Sequence, residues 1–257
     1  MSPPPGTPYP HLPSQADLFY LCTTLSTSDT SLNLNVGPPS KSSLLIGVLL
    51  LGNDLIQTLD ITPIDLLTML SEEAIERLGA PEDITSDGIG LDIRYVSESG
   101  EGLFSLTAGL KVPVTESLET ILQFDLILIP GPPSTYQLSS AATDFLATQT
   151  SNPHLIAVMS VCTGVLPLAQ ASLLSNKCVA APHHLLPSLR QNFPDTTWED
   201  VRWVSDGNVW SCGAVTSGAD MMAAWMREYF WDRAEAVEWV LQAAGVRERR
   251  RGYEEVR

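Results

Sequence analysis

The 257-residue sequence predicts an α/β protein, a three-layer sandwich with a mainly parallel central sheet. Two observations predict this fold class. Short apolar runs that suit buried parallel strands alternate along the chain with segments of helical pattern. One such strand ends at Val161 and passes at once, through Cys162, into a helical segment, which is typical of a nucleophile elbow. We therefore expect Cys162 at a sharp, strained turn, with its side chain exposed above the sheet.

The elements are predicted in the following order. The pattern indicates a strand at 44–51, a helix at 63–70, a strand at 93–96, a hairpin region at 102–110, a buried strand at 124–130 and a helix at 141–148. A strand at 155–161 and a helix at 164–174 surround Cys162. A strand at 177–181, a helix at 184–192, a strand pair at 202–204 and 209–212 and helices at 217–229 and 233–244 complete the pattern.

The composition predicts a single domain with two tails. With 44% hydrophobic residues, the chain can bury one large core, which we place at 44–245. Residues 1–43 are rich in Pro, Ser and Thr and are predicted to be an N-terminal tail, except for the apolar stretch 18–22. Residues 246–257 hold five of the fourteen basic residues and are predicted to be a charged, solvated C-terminal tail.

Charge and cysteine content exclude several function classes. The net charge of −16 disfavours binding of nucleic acid or of a strongly anionic substrate, so a small neutral substrate is expected. The four cysteines lie far apart and show no zinc-ligand spacing, which predicts reduced thiols in a cytoplasmic protein. The N-terminus lacks the pattern of a signal peptide, and no apolar run reaches the length of a membrane span.

Cys162 is the candidate nucleophile. The first free N–H groups of the following helix would favour a thiolate, so a lowered pKa is expected for this thiol. The alternative is that Cys162 is a small buried hydrophobe, which is the usual fate of a free cysteine. Cys178 and Cys212 lie in strand-like runs and are predicted to be structural thiols.

Four motifs together resemble the ThiJ/PfpI superfamily, and within it most closely the isonitrile (isocyanide) hydratases. They are TLDITPIDLL, FDLILIPG, SVCTGVLPLAQASLL and DGNVWSCGAVTSGADM, and they fall in this order between about Leu44 and Phe230. Relatives of the peptidase type and several deglycase-like relatives carry histidine directly after the nucleophilic cysteine. Thr163 stands there in this chain, and Cys-Thr is the pattern of the isonitrile hydratases that it resembles. The resemblance implies the class I glutamine amidotransferase-like fold and a homodimer whose active sites lie near the subunit interface.

The resemblance also implies a mechanism. Asp60 stands where the hydratases carry an aspartate that works with the cysteine, and Asp65 is the nearby competitor. Asp60 would carry a proton to the isonitrile carbon while Cys162 adds to it, and water would release an N-substituted formamide from the thioimidate. Thr163 would orient the water or the adduct through its hydroxyl group and its backbone N–H. No metal or organic cofactor is implied. The alternative for Asp60 is a helix-capping carboxylate near Pro63.

Two departures from the family pattern concern the anion hole and the histidines. Gly131, Pro132 and Gly164 are the candidate anion-hole positions, but Pro132 replaces the usual second glycine and has no N–H to donate. The missing donor would have to be supplied by Gly131 or by another group. His183 and His184 follow a segment that differs from the usual Thr-Thr-His, and we predict that they are helix-start or surface residues rather than a catalytic base.

Two other function classes remain open. The first is different cysteine chemistry on the same fold, such as a glyoxalase, a deglycase or an amidase. The second is a non-enzymatic ligand-binding protein, because similar domains occur fused to helix-turn-helix regulators. Fewer than thirty residues follow Tyr229, and the charge is acidic, so a DNA-binding regulator is disfavoured.

Overall fold

The computed structural model describes residues 39–52 and 56–253. Most of the N-terminal tail, including 18–22, lies outside the described residues. The strands are β1 (Ser43–Leu50), β2 (Gly90–Ser97), β3 (Leu103–Ser105), β4 (Lys111–Pro113), β5 (Glu116–Ser117), β6 (Leu126–Ile129), β7 (Ala157–Val161), β8 (Cys178–Ala180), β9 (Thr197–Glu199), β10 (Trp203–Asp206) and β11 (Val209–Cys212). The helices are α1 (Thr62–Thr68), α2 (Glu72–Arg77), α3 (Glu82–Thr85), α4 (Ser140–Thr150), α5 (Val165–Gln170), α6 (Leu186–Asn192), α7 (Ser217–Tyr229) and α8 (Ala234–Ala243).

The central sheet has seven strands in the order β10-β11-β7-β6-β1-β2-β5. All neighbours pair in parallel except the edge strand β10, which runs antiparallel to β11. Strands β3 and β4 form a separate antiparallel hairpin, and β8 pairs in parallel with β9. The mainly parallel sheet predicted from the sequence is therefore confirmed. Because the parallel strands point the same way, their carboxyl ends share one edge, where Cys162 follows β7.

Alternate residues of the central strands pack into two separate cores, which makes the fold a three-layer sandwich. In β6, Leu126 and Leu128 join the core beneath α1, α7 and α8, whereas Ile127 and Ile129 join the core beneath α4, α5 and α6. Side chains in a strand alternate between its two faces, so a strand covered on both faces must be apolar at every position. This is the reason why the central strands read as unbroken apolar runs in the sequence.

The structure differs from the sequence prediction in its shorter elements. The helix predicted over 164–174 ends at Gln170, and the chain then turns through left-handed backbone at Ser172 and Asn176. Helices α2 and α3 and strands β5 and β9 were not predicted. Each has six residues or fewer, which is too short to show a clear period in the sequence.

None of the helices in the described ranges is both long enough and apolar enough to cross a bilayer.

Candidate active site

Cys162 lies at a strained corner between β7 and α5. Its φ of 55° is in the left-handed region, which non-glycine residues rarely occupy and which is common at active sites. Two residues later the chain passes so close to β6 that a β-carbon on Gly164 would overlap the carbonyl oxygen of Ile129. Gly164 is therefore required by packing. The turn has the geometry of the predicted nucleophile elbow, with Cys162 half-buried at its tip.

Asp60 is buried beneath this corner. It lies in a short 3₁₀ turn, Thr58–Ile61, and is only 1% exposed. Its Oδ2 accepts a hydrogen bond of 2.9 Å from the backbone N–H of Gly131, while its Oδ1 is buried and has no hydrogen-bond partner among the described residues. The carboxylate caps neither the 3₁₀ turn nor α1, so the capping alternative is wrong. The competitor Asp65 is exposed on α1.

Burial changes the acidity of Asp60. Removal of the carboxylate from water disfavours its charged form and raises its pKa to about 6, although the hydrogen bond from Gly131 opposes this shift. A buried carboxylate oxygen without a partner is rare in folded proteins and calls for a functional explanation. A carboxyl with a pKa near 6 can both accept and donate a proton near neutral pH, which is the requirement for a general acid–base group.

Gly131 and Thr163 hold the site together. A β-carbon on Gly131 would lie 3.0 Å from Asp60 Oδ2 and 3.1 Å from the backbone N of Thr163, and it would overlap Thr163 Oγ1. The Thr163 hydroxyl donates a hydrogen bond of 2.6 Å to the carbonyl oxygen of Pro132. The elbow, the 131–132 turn and Asp60 therefore form one compact cluster in which only glycine fits at position 131.

This cluster corrects the expectation about the anion hole. Gly131 cannot supply the donor that Pro132 lacks, because its N–H already bonds to Asp60. Pro132 contributes a carbonyl oxygen that orients Thr163, and Gly164 serves close packing. The proton of the Thr163 hydroxyl is also engaged, which leaves its oxygen as an acceptor and its backbone N–H as a donor towards the cysteine sulfur.

The predicted lowering of the Cys162 pKa is wrong. Burial raises the pKa of the Cys162 thiol, and the nearby negative charge of Asp60 raises it further. The hydrogen bond from the backbone N–H of Thr163 favours the thiolate but does not outweigh these two effects. At neutral pH Cys162 is therefore largely a thiol and Asp60 largely a carboxylate. The nucleophilic thiolate must be formed by transfer of the Cys162 proton.

The two other described cysteines differ from Cys162 in their surroundings. Cys212 is fully buried, and its thiol lies 3.6 Å from the carbonyl oxygen of Ala214. The Cys178 thiol donates to a carboxylate oxygen of Glu199 at 3.0 Å, and burial together with this contact raises the pKa of Cys178 to about 11. Neither of them borders the cavity beside Cys162.

A cavity of about 470 Å³ opens beside the Cys162 side chain. Its walls are formed by Cys162, Pro182, His183, His184, Asp200, Gly213, Ala214, Val215 and Tyr253. His183 and His184 begin the turn before α6, as predicted, but they also border this cavity. The His183 Nδ1 atom lies 2.5 Å from a carboxylate oxygen of Asp200. Asp200 and Tyr253 were not predicted from the sequence. Asp200 directly follows β9, which is too short to show a period in the sequence, and no local pattern marks Tyr253.

In the ranges 39–52 and 56–253, no three histidine, cysteine, aspartate or glutamate side chains are grouped as metal ligands would be.

The buried charge of Asp60 predicts a stabilising substitution. Below pH 3.8 the Asp60 carboxyl is protonated in both the folded and the unfolded chain. Between pH 3.8 and about 6 it stays protonated in the folded chain but ionises in the unfolded chain. The free energy of unfolding of the wild type therefore falls as the pH rises through this range. Asp60→Asn removes that fall and is expected to raise the free energy of unfolding at pH 8 by about 1–3 kcal/mol, with little gain near pH 4. Urea unfolding of the wild type and of Asp60→Asn at both pH values measures this difference in the free energy of unfolding.

The matched control for stability is Asp65→Asn. Because Asp65 is exposed, its substitution is expected to change the free energy of unfolding by less than about 0.5 kcal/mol at either pH. Equal or lower stability of Asp60→Asn at pH 8 would contradict the raised pKa of Asp60.

The fold is similar to that of several solved structures. A ThiJ/PfpI family protein from Pseudomonas syringae aligns with a TM-score of 0.61 and 17% identity, over 87% of this chain and 83% of the other. DJ-1beta from Drosophila melanogaster aligns with a TM-score of 0.58 and 17% identity, over 80% and 99%. An AraC family transcriptional regulator from Pseudomonas putida aligns with a TM-score of 0.59 and 18% identity, over 77% and 98%. These similarities concern the fold alone.

Sequence comparison finds the same family. An isonitrile hydratase from Pseudomonas putida is 31% identical over 144 residues, which are 54% of this chain and 60% of that protein. This chain thus matches about three-fifths of the relative's length. The model of the DJ-1/PfpI family matches residues 67–228, which include the Cys162 corner, the 131–132 turn and the cavity up to Val215. The chain therefore belongs to the DJ-1/PfpI family.

Proposed function

We propose that this protein is a lyase that adds water to a small neutral isonitrile and releases an N-substituted formamide. The observation that carries the proposal is the buried Asp60 carboxylate, which has a pKa of about 6 and lies beside Cys162. An isonitrile becomes electrophilic only as its terminal carbon takes up a proton, so its hydration needs an acid–base group next to a soft nucleophile. Asp60 and Cys162 supply both groups.

The first step adds the thiol across the isonitrile carbon. The Asp60 carboxylate accepts the Cys162 proton, the sulfur forms a bond to the terminal carbon, and Asp60 gives the same proton to that carbon. The product is a thioimidate that joins Cys162 to the substrate. The raised pKa of Cys162 suits this step, because the proton that the substrate needs is then present on the resting thiol.

The second step is hydrolysis of the thioimidate. The Asp60 carboxylate takes a proton from water as the water oxygen bonds to the carbon, and this proton passes to the substrate nitrogen. The hydroxyl of the resulting adduct then loses its proton, through Asp60, to the departing sulfur as the carbon–sulfur bond breaks. The formamide leaves, and the thiol and the carboxylate are restored. The free acceptor capacity of Thr163 Oγ1 and its N–H suit it to position the water or the adduct.

The engaged Gly131 N–H favours this chemistry over ester or amide hydrolysis. Acyl transfer builds a full oxyanion, and the loss of one donor to that oxyanion commonly costs about 10²–10³ in rate. The turn at Pro132 offers no such donor, because proline has no N–H and the Gly131 N–H bonds to Asp60. Isonitrile hydration does not need a donor to an oxyanion at this step, because the carbon is protonated as the sulfur adds.

Two similarities support the proposal. The isonitrile hydratase from Pseudomonas putida is 31% identical to this chain, and Thr163 follows the nucleophile as in the hydratase pattern. The homodimer and the cytoplasmic location stay predictions from the sequence.

The proposal predicts a specific pH dependence. Asp60 must be ionised to accept the Cys162 proton, so kcat/KM for an isonitrile is expected to fall tenfold per pH unit below about pH 6. Initial rates of formamide release between pH 4.5 and 8.5 measure this acidic limb of the pH–rate profile. A limb near pH 4 would indicate an ordinary exposed carboxyl, and a limb above pH 8 would indicate that the thiolate itself must be present beforehand; either would contradict the proposed role of Asp60.

The His183–Asp200 pair favours a second candidate function, namely cysteine chemistry of the glyoxalase, deglycase or amidase type. A histidine that borders the same cavity as a cysteine and contacts a carboxylate can act as a base in such reactions. Methylglyoxal turnover assayed beside formamide production from a panel of isonitriles separates the two candidates. Turnover of methylglyoxal alone, lost in His183→Ala, would favour the second candidate.

A further inference from the structure

The C-terminal segment 246–253 returns to the site. Helix α8 ends at Ala243, and Gly245, with a φ of 70°, turns the chain. Residues 247–253 are exposed, as predicted for a solvated end, yet several of them make specific contacts with the rest of the protein. The segment finishes with Tyr253 in the wall of the Cys162 cavity.

Four contacts made by arginines hold this segment against the sheet and α7. The backbone N–H of Arg202 donates to the carbonyl oxygen of Arg251 at 2.8 Å, just before the edge strand β10. The Arg251 guanidinium lies 5.1 Å from the ring centre of Trp203 and donates to the Trp203 carbonyl oxygen at 3.4 Å. Arg249 lies 3.7 Å from the largely buried carboxylate of Asp220 on α7. The segment thus lies against the start of the edge strand β10.

Tyr253 is held by the same group of residues. The Arg202 guanidinium lies over the Tyr253 ring at 5.2 Å from its centre, a cation–π contact, and the same guanidinium lies 4.0 Å from Asp220. Arg202 therefore links the segment to α7 and places the aromatic ring at the cavity. Tyr253 is 44% exposed as a residue, so it remains accessible to a bound molecule.

The rest of the cavity wall is mainly apolar. Pro182, Gly213, Ala214 and Val215 present small aliphatic or backbone surface, and the polar groups are the two histidines and Asp200. A volume of about 470 Å³ is larger than the reacting carbon and nitrogen of an isonitrile require. The remaining space suits the substituent on nitrogen.

We propose that Tyr253 is a specificity-determining residue that contacts the substituent of the substrate, and that this substituent is apolar and preferably aromatic. The inference rests on the proposed function, because it assigns the substrate class to the same site. Aromatic side chains bind flat apolar groups with modest cost in entropy and add a geometric preference to the contact.

The first test measures the preference of the cavity for an aromatic group and does not depend on catalysis. N-phenylmaleimide and N-methylmaleimide carry the same thiol-reactive group, so the ratio of their rates at Cys162, followed by peptide mass spectrometry, reports how well the cavity accepts an aromatic substituent. We expect a preference for the phenyl reagent in the wild type that falls about three- to tenfold in Tyr253→Ala and persists in Tyr253→Phe. The N-methylmaleimide rate, unchanged among the variants, shows that the fold and Cys162 are intact.

A matched pair of arginine variants tests the anchoring. Arg251→Ala removes the contacts with Trp203 and is expected to lower the phenyl preference about threefold. Arg250→Ala is the control, because no hydrogen bond, ion pair or ring contact joins Arg250 to the other described residues. An equal ratio in the wild type, Tyr253→Ala and Arg251→Ala would overturn the proposal.

The second test uses isonitriles and separates this inference from the proposed function. We expect kcat/KM for benzyl isonitrile to fall about tenfold in Tyr253→Ala, and that for methyl isonitrile to change less than about twofold. A lowered maleimide ratio without hydration of any isonitrile would refute the proposed function while the cavity assignment stands. Hydration with an unchanged preference for benzyl isonitrile in Tyr253→Ala would refute the role of Tyr253 alone.

Discussion

Replacing Cys162 by alanine is expected to lower isonitrile hydration by at least about 10³-fold, because the thioimidate cannot form without the sulfur. The measurement is formamide release from a panel of isonitriles at pH 7.5. The substitution removes a half-buried side chain at a corner whose backbone is already strained, so the folded state should persist. Intact-protein mass spectrometry during turnover should also detect the wild type carrying one substrate mass, and Cys162→Ala carrying none.

Cys178→Ala is the matched control for this experiment. Cys178 is also half-buried, but its thiol is hydrogen-bonded to Glu199 and does not border the cavity beside Cys162. Full activity is expected in this variant. Turnover by Cys162→Ala near the wild-type rate, or loss of turnover only in Cys178→Ala, would mean that Cys162 is not the nucleophile.

Asp60→Asn is expected to abolish hydration to a similar extent, about 10³-fold or more, while leaving the fold intact. An amide can still accept the hydrogen bond from Gly131, but it cannot accept the Cys162 proton or return it to carbon. Asp65→Asn, an exposed carboxylate on the neighbouring α1, is the matched control and should retain activity.

A second measurement on the same variants separates loss of the proton carrier from general damage to the site. The charge of Asp60 raises the pKa of Cys162, so its removal should lower that pKa and increase the rate at which iodoacetamide alkylates Cys162 at pH 7. We therefore expect turnover and alkylation to change in opposite directions in Asp60→Asn. Slower alkylation together with lost turnover would indicate a disturbed elbow, and unchanged turnover would exclude the proton-transfer role.

Several features of the site could be predicted from local sequence patterns. The apolar run that ends at Val161 and passes directly into a helical segment indicates the elbow, because strand periodicity and the following turn are encoded within a few residues. The choice of Asp60 over Asp65 came from the family motif, and the structure places Asp60 in the buried site and Asp65 at the surface.

The acidity of the site depended on the tertiary structure. The sequence pattern suggested a lowered pKa for Cys162, because it shows the helix start but not the depth of burial or the charge of Asp60, which is about a hundred residues away in the chain. Desolvation and Coulombic interaction depend on distances in space, and these two effects together outweigh the local hydrogen bonds. The bond between Asp60 and Gly131, across 71 residues, has the same long-range origin.

The sequence by itself determined the order of most strands and helices, the position of the nucleophile corner and the family, because strand and helix periods, turn residues and motifs are properties of short segments. Only the tertiary structure decided what surrounds that corner: the Gly131 N–H bonded to Asp60, the His183–Asp200 pair and the returning segment with Tyr253. The run of arginines before Tyr253 has the composition of a solvated tail, and it holds Tyr253 at the cavity only because Trp203 and Asp220 lie where the folded chain brings them within reach of Arg251 and Arg249.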